Sequence, residues 1–242
     1  MDALIALGTA FVLGAVHALE VDHMIAVTAF VASRPALAAA LAFGSRWGAG
    51  HALAVLLAGG VLLATGLHWP ERWDAWGEAA VGVMLVGIGL WALVRARKLH
   101  LHPPEEHGDH AHLHAHGVGA HPHAHGGRES GTASHEAAPH PHPHVHGRGI
   151  TAVGLVHGLA GTSAVVALVP VTLMSRPLVG VLYLVAFGLG TVVAMTGFAL
   201  AAALAMRQAG HGSLDWARRL GRGAGLGAVG VGVYWILRAL GT

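Results

Sequence analysis

Long apolar runs separated by short polar stretches dominate the chain, and their lengths define the fold class. Runs at roughly 3–32, 36–66, 76–97, 149–173, 178–206 and 221–241 each reach the ~20 residues that a helix needs to cross a bilayer. The pattern predicts an all-α integral membrane protein of about six transmembrane helices. The first run is too long for one straight crossing, and it carries ionisable residues in its middle. It is expected to tilt, bend or break there. The stretch from His100 to His146 differs in kind: it holds 15 of the 21 histidines, interleaved with Pro, Gly and Glu. Such a segment cannot bury a core and is expected to be disordered without metal. Three parts follow: a first three-helix membrane repeat over 1–98, a His-rich loop over 99–148, and a second three-helix repeat over 149–242.

The two membrane parts match each other. GAVHAL at 14–19 pairs with GLVHGL at 154–159, which sets His17 against His157. SRP at 33–35 pairs with SRP at 175–177, and AFG at 42–44 with AFG at 186–188. VGIGLWALVRA at 86–96 pairs with VGVGVYWILRA at 229–239. Blocks matched in order at nearly constant offset are not chance similarity of apolar segments. Each copy has an odd number of spans, so the second copy is expected upside down relative to the first. Inverted repeats of this kind recur in transporters, with the substrate site near the midplane where the copies meet.

Composition agrees with the membrane reading. Charged residues make up 11% of the chain, against about 25% in a soluble domain. The sequence pI near 9.7 does not imply nucleic acid, because the basic residues cluster at the ends of apolar runs. Arg34, Arg95, Arg97, Lys98, Arg128, Arg148, Arg207, Arg218, Arg219 and Arg222 fall on one side, and Arg72, Arg176 and Arg238 on the other. The positive-inside rule puts the first set in the cytoplasm. A plasma (inner) membrane protein with a cytoplasmic His-rich loop and both termini outside is the expected topology. The first run lacks the basic start of a signal peptide. Cysteine is absent, which excludes disulfides, thiolate ligands and cysteine nucleophiles.

The chemistry lies in HALEVDH, which places His17, Glu20, Asp22 and His23 inside the first run. A charge at mid-bilayer costs about 2.5–3.5 kcal/mol even on a lenient scale, so these groups must face protein or a cation. They form either a satisfied polar network, with Arg46 paired to Asp22 or Glu20, or a cation site. At 100° per residue His17 and Glu20 share a helical face while Asp22 and His23 do not. A break near 17–23 would let all four converge; otherwise they form two sites along a path. WGAGH adds His51 on the second run, and HGLAGTS adds His157, Thr162 and Ser163 on the fourth. The two hydroxyls are candidates for a polar path or for helix packing. Imidazoles with carboxylates and no thiolate suit nickel, cobalt, zinc or copper(II), and suit magnesium or calcium poorly. In the loop, His110, His112, His114, His116, His121, His123, His125, His140, His142, His144 and His146 are candidates for multisite metal binding.

HALEVDH fits the H-x4-D-H signature of the nickel/cobalt transporter family, and WGAGH resembles that family's glycine–histidine motif on the next helix. HGLAG and the six-span length look closer to the urease-accessory type of nickel permease within the same superfamily. The resemblance implies metal recognition by His17, Asp22, His23 and His51, with nickel or cobalt as the substrate.

The expected function is transport of a divalent transition-metal ion, with nickel or cobalt uptake first. Proton-coupled efflux and a non-transporting membrane metal sensor are the alternatives. An exporter of small anions would need a basic midplane, and this one is acidic and imidazole-rich. No enzyme activity and no prosthetic group are expected. The expected partners are membrane lipid, the metal ion and a cytoplasmic metal chaperone, without nucleic acid.

Overall fold

The computed structural model describes residues 2–33, 36–66, 71–97, 99–102, 112–115, 147–159, 169–172, 174, 176–210 and 214–241. They form α1 (Asp2–His17), α2 (Val21–Ser33), α3 (Leu37–Thr65), α4 (Glu71–Arg97), β1 (Leu99–His102), β2 (His112–Ala115), α5 (Gly147–Gly158), α6 (Val169–Thr172), α7 (Pro177–Gly210) and α8 (Leu214–Ala239).

Four of these helices are long and apolar enough to cross a membrane: α3, α4, α7 and α8. Helices α1 and α2 pass the same test as a pair bent by 57° at a short break, which makes a fifth candidate span. The chain is therefore a multi-pass membrane protein whose membrane part is helical, with four to five candidate spans among the described residues. Of the expected span over 149–173, α5 is a shorter apolar helix and α6 one turn, while 160–168 lie outside the described residues.

Local chemistry sets several ends. Pro177 opens α7, at the helix position where a missing N–H costs nothing. Gly66 closes α3 in the left-handed region (φ 67°) and returns its N–H to the Leu62 carbonyl at 2.8 Å. That conformation favours glycine because it has no Cβ. Within 99–148, β1 and β2 pair antiparallel, with Leu99 opposite Ala115 and Leu101 opposite Leu113. The Leu/His alternation there has the period of a strand, a pattern that the disordered-loop expectation passed over.

The long helices pack in a fixed set. α3 lies against α7 and α5, α4 against α8, and α1 against α7, while α2 touches α8, α4 and α7. Glycines permit the closest of these approaches. Gly14 of α1 abuts the Phe187 carbonyl of α7, and Gly190 of α7 abuts the Phe11 carbonyl. Gly154 of α5 abuts the Trp47 carbonyl of α3, and Gly50 of α3 abuts the Thr151 carbonyl. None of the four sites has room for a Cβ. An aromatic stack joins α2, α3 and α4: Phe30 lies 3.8 Å from Phe43 and 5.6 Å from Trp91, centroid to centroid.

Candidate metal centre

The break between α1 and α2 gathers the ionisable residues. The helix ends at His17, tightens through Leu19 N–H to Val16 O and Glu20 N–H to His17 O (both 3.0 Å), and resumes with Met24 N–H on Glu20 O. The break expected over 17–23 is present. It removes the helical-wheel conflict, bringing the His17 and His23 rings to a centroid distance of 4.9 Å.

Two further helices complete the cluster. His51, in the middle of α3, lies 5.2 Å from His17 and 5.3 Å from His23. His157, near the end of α5, stacks on His23 at 4.0 Å and lies 5.9 Å from His51. All four histidines and Asp22 are buried. Glu20 sits at the rim, with its side chain about one-third exposed (35%). Aromatic rings flank both ends: Phe187 lies 5.8 Å from His17, and Trp47 lies 5.7 Å from His157.

His17 Nδ1 lies 2.9 Å from Glu20 Oε1. Asp22 Oδ1 accepts the His23 backbone N–H at 2.9 Å and lies 3.1 Å from His23 Nδ1. Asp22 Oδ2 lies 3.1 Å from His157 Nε2. Asp22 is also in the first turn of α2, where the helix dipole favours a negative charge. Five ring nitrogens remain buried without a hydrogen-bond partner among the described residues: His17 Nε2, His23 Nε2, both of His51, and His157 Nδ1.

Two sets of side chains have ligating atoms within 4.8 Å of one another: His17–His23–His51 and Asp22–His23–His157. Either could hold a cation. Nitrogen-rich sets of this kind suit late first-row divalent metals.

The structure thus brings together His17, Glu20, Asp22, His23, His51 and His157. Arg46 is exposed on α3, and Asp22 is engaged by His23 and His157. Thr162, Ser163 and the loop histidines His110, His116, His121, His123, His125, His140, His142, His144 and His146 lie outside the described residues. His112 and His114 fall in β2. Sequence reasoning missed Thr191, fully buried on α7, whose Oγ1 lies 3.2 Å from the Gly14 carbonyl oxygen and 3.1 Å from that of Phe187. Aligning WGAGH (47–51) with FGLGT (187–191) would have found it, because Thr191 then takes the place of His51.

Fold and centre together define a multi-pass helical membrane protein with a buried imidazole–carboxylate cluster at a helix break. The chain is 31% identical over 201 residues to the urease accessory protein UreH of Bacillus sp. (strain TB-90), covering 82% of this chain and 76% of that relative. The chain therefore belongs to the UreH family, the urease-accessory branch of the nickel/cobalt permeases that its motifs resemble. No family model and no solved structure matches it. That relative is by name an accessory protein of an enzyme, in keeping with the expectation that this chain is not an enzyme.

Proposed function

We propose that the chain carries a divalent transition-metal ion, nickel first, into the cell through the His17–His23–His51–His157 centre. His51 carries this reading. A fully buried histidine with neither ring nitrogen bonded loses its solvation without compensation, which costs roughly 1–3 kcal/mol per polar group. A cation ligated there offsets that cost. The donor set alone leaves cobalt, zinc and copper open. The link of the UreH relative to urease, together with the permease-like motifs, puts nickel ahead.

An inverted-repeat frame fits this role. Its support is a matched pair of contacts at an offset of 140 residues: Gly14 on Phe187 answers Gly154 on Trp47, and Gly190 on Phe11 answers Gly50 on Thr151. This register pairs WGAGH with FGLGT, one helical turn away from the AFG-to-AFG match. The two copies would contribute unequally, His51 in one and Thr191 in the other. Trp47 Nε1 and Thr196 Oγ1, on the facing helices α3 and α7, are also buried without a hydrogen-bond partner among the described residues. They suit a path that leads the ion onward.

Uptake is the favoured direction on physical grounds. A divalent ion gains about 4.6 kcal/mol on entering an interior 100 mV negative, at ~2.3 kcal/mol per charge. The distribution of Arg and Lys supports outside termini and a cytoplasmic His-rich loop, there to bind arriving metal and pass it to a chaperone. Cells expressing the chain are expected to accumulate labelled nickel above empty-vector cells, and His51→Ala to abolish the excess. Accumulation below the empty-vector level would overturn uptake in favour of efflux.

A further inference from the structure

We infer that Glu20 and Asp22 are positioning residues that orient the histidines and stay outside the ion's own shell, which is imidazole nitrogen alone, from His17, His23 and His51. The inference rests on the proposed passage of a divalent transition metal through this centre.

An ionised carboxylate has no proton to give. A neutral imidazole nitrogen in hydrogen-bond contact with it must therefore carry the proton and donate. His17 then donates Nδ1–H to Glu20 Oε1 at 2.9 Å, and His23 donates Nδ1–H to Asp22 Oδ1 at 3.1 Å. In both rings the lone pair is left on Nε2. Both Nε2 atoms are buried and lack a hydrogen-bond partner among the described residues. His51 adds a third lone pair in either tautomer, since both of its nitrogens are unpartnered among the described residues. The three residues offer ligating atoms within 4.8 Å of one another.

Asp22 is differently committed. Oδ1 accepts from the His23 backbone and ring, and Oδ2 from His157 Nε2–H at 3.1 Å. In the Asp22–His23–His157 set each carboxylate oxygen is already engaged by a ring nitrogen. Turning Asp22 toward an ion would leave a buried donor unmet. The pattern is the carboxylate–histidine–metal arrangement, in which the outer carboxylate fixes tautomer and ring direction and raises ligand basicity. The two carboxylate charges balance a divalent cation from the second layer. A three-nitrogen shell leaves coordination positions open, as a transit site needs if the ion is to leave, and it offers magnesium and calcium no oxygen ligand.

The test is X-ray absorption on the nickel-loaded full chain in lipid nanodiscs, with the number of imidazoles read from outer-shell scattering, alongside equilibrium nickel binding. Three imidazoles are expected in the wild type. Glu20→Gln keeps three, because the glutamine oxygen accepts the same bond. Glu20→Ala lowers affinity by roughly 10- to 100-fold and loses the His17 contribution. Asp22→Asn can accept from only one of the two rings, so it keeps three imidazoles where its oxygen faces His23 and two where its NH2 does, and in neither case does the shell lose an oxygen. The inference is overturned if Glu20→Gln and Glu20→Ala weaken binding equally, or if Asp22→Asn keeps every imidazole and loses an oxygen. In those cases nickel still binds the wild type and the transport proposal stands. A wild-type chain that binds no nickel overturns that proposal and this inference together.

Discussion

His23 and His157 stack with ring centroids 4.0 Å apart and 24° between their planes, and one carboxylate, Asp22, holds both. His23 belongs to the broken first helix and His157 to α5, so this contact joins the two halves of the chain at the centre itself. Asp22→Ala removes the acceptor for both rings and for a backbone N–H. Buried donors left unmet cost about 1–3 kcal/mol each. The variant is expected to melt markedly lower in detergent than the wild type, and to bind nickel more weakly. An unchanged melting temperature would mean that Asp22 does not hold the halves together.

His51→Ala tests the ion site with less damage to the fold, because His51 makes no hydrogen bond through its ring among the described residues. Nickel affinity is expected to fall by at least roughly 100-fold, the upper end of what outer-layer changes cause. Thermal stability is expected to change far less than in Asp22→Ala. Calorimetric titration and a melting curve on the same preparation separate the two effects.

The glycine contacts make a paired prediction. Gly14→Ala drives a Cβ into the Phe187 carbonyl, and Gly154→Ala drives one into the Trp47 carbonyl. Overpacking of this kind costs about 1–3 kcal/mol. If the halves are inverted copies, the two variants lose similar stability. Gly8→Ala is the control: nothing lies within 4 Å of its added Cβ, and alanine is the better helix former by about 1 kcal/mol. Denaturation in detergent compares all three.

The His-rich loop makes a prediction in pH. A protonated imidazole has no lone pair for a metal, and the ordinary histidine pKa is about 6.5. Nickel capacity assigned to residues 100–146, taken as wild type minus a chain lacking them, should rise several-fold between about pH 5.5 and 7.5. A capacity flat across that range contradicts loop binding through histidine.

Much of this centre was legible in the sequence, for identifiable reasons. The two carboxylates and two histidines of HALEVDH do not share one helical face, so the sequence pointed to a break there, with two sites along a path as the other possibility. His51 and His157 stood out as polar residues in apolar runs. Thr191 did not, because α7 is mostly Gly, Ala, Val and Leu, and a threonine there reads as packing. The division of labour was also hidden. Whether Glu20 and Asp22 face an ion or a ring N–H depends on how the chain turns through residues 18–20, and no spacing rule fixes that turn.

Labelled-nickel flux in proteoliposomes under an imposed inside-negative potential tests the proposed route most directly, comparing the wild type, His17→Ala and a chain lacking 100–146. The expected result is that potential alone drives nickel inward, His17→Ala abolishes the flux, and loss of the loop only modulates it. Flux that persists undiminished in His17→Ala would contradict passage through this centre. Flux that starts only when a proton gradient is imposed would contradict potential-driven uptake and make the protein a proton-coupled carrier.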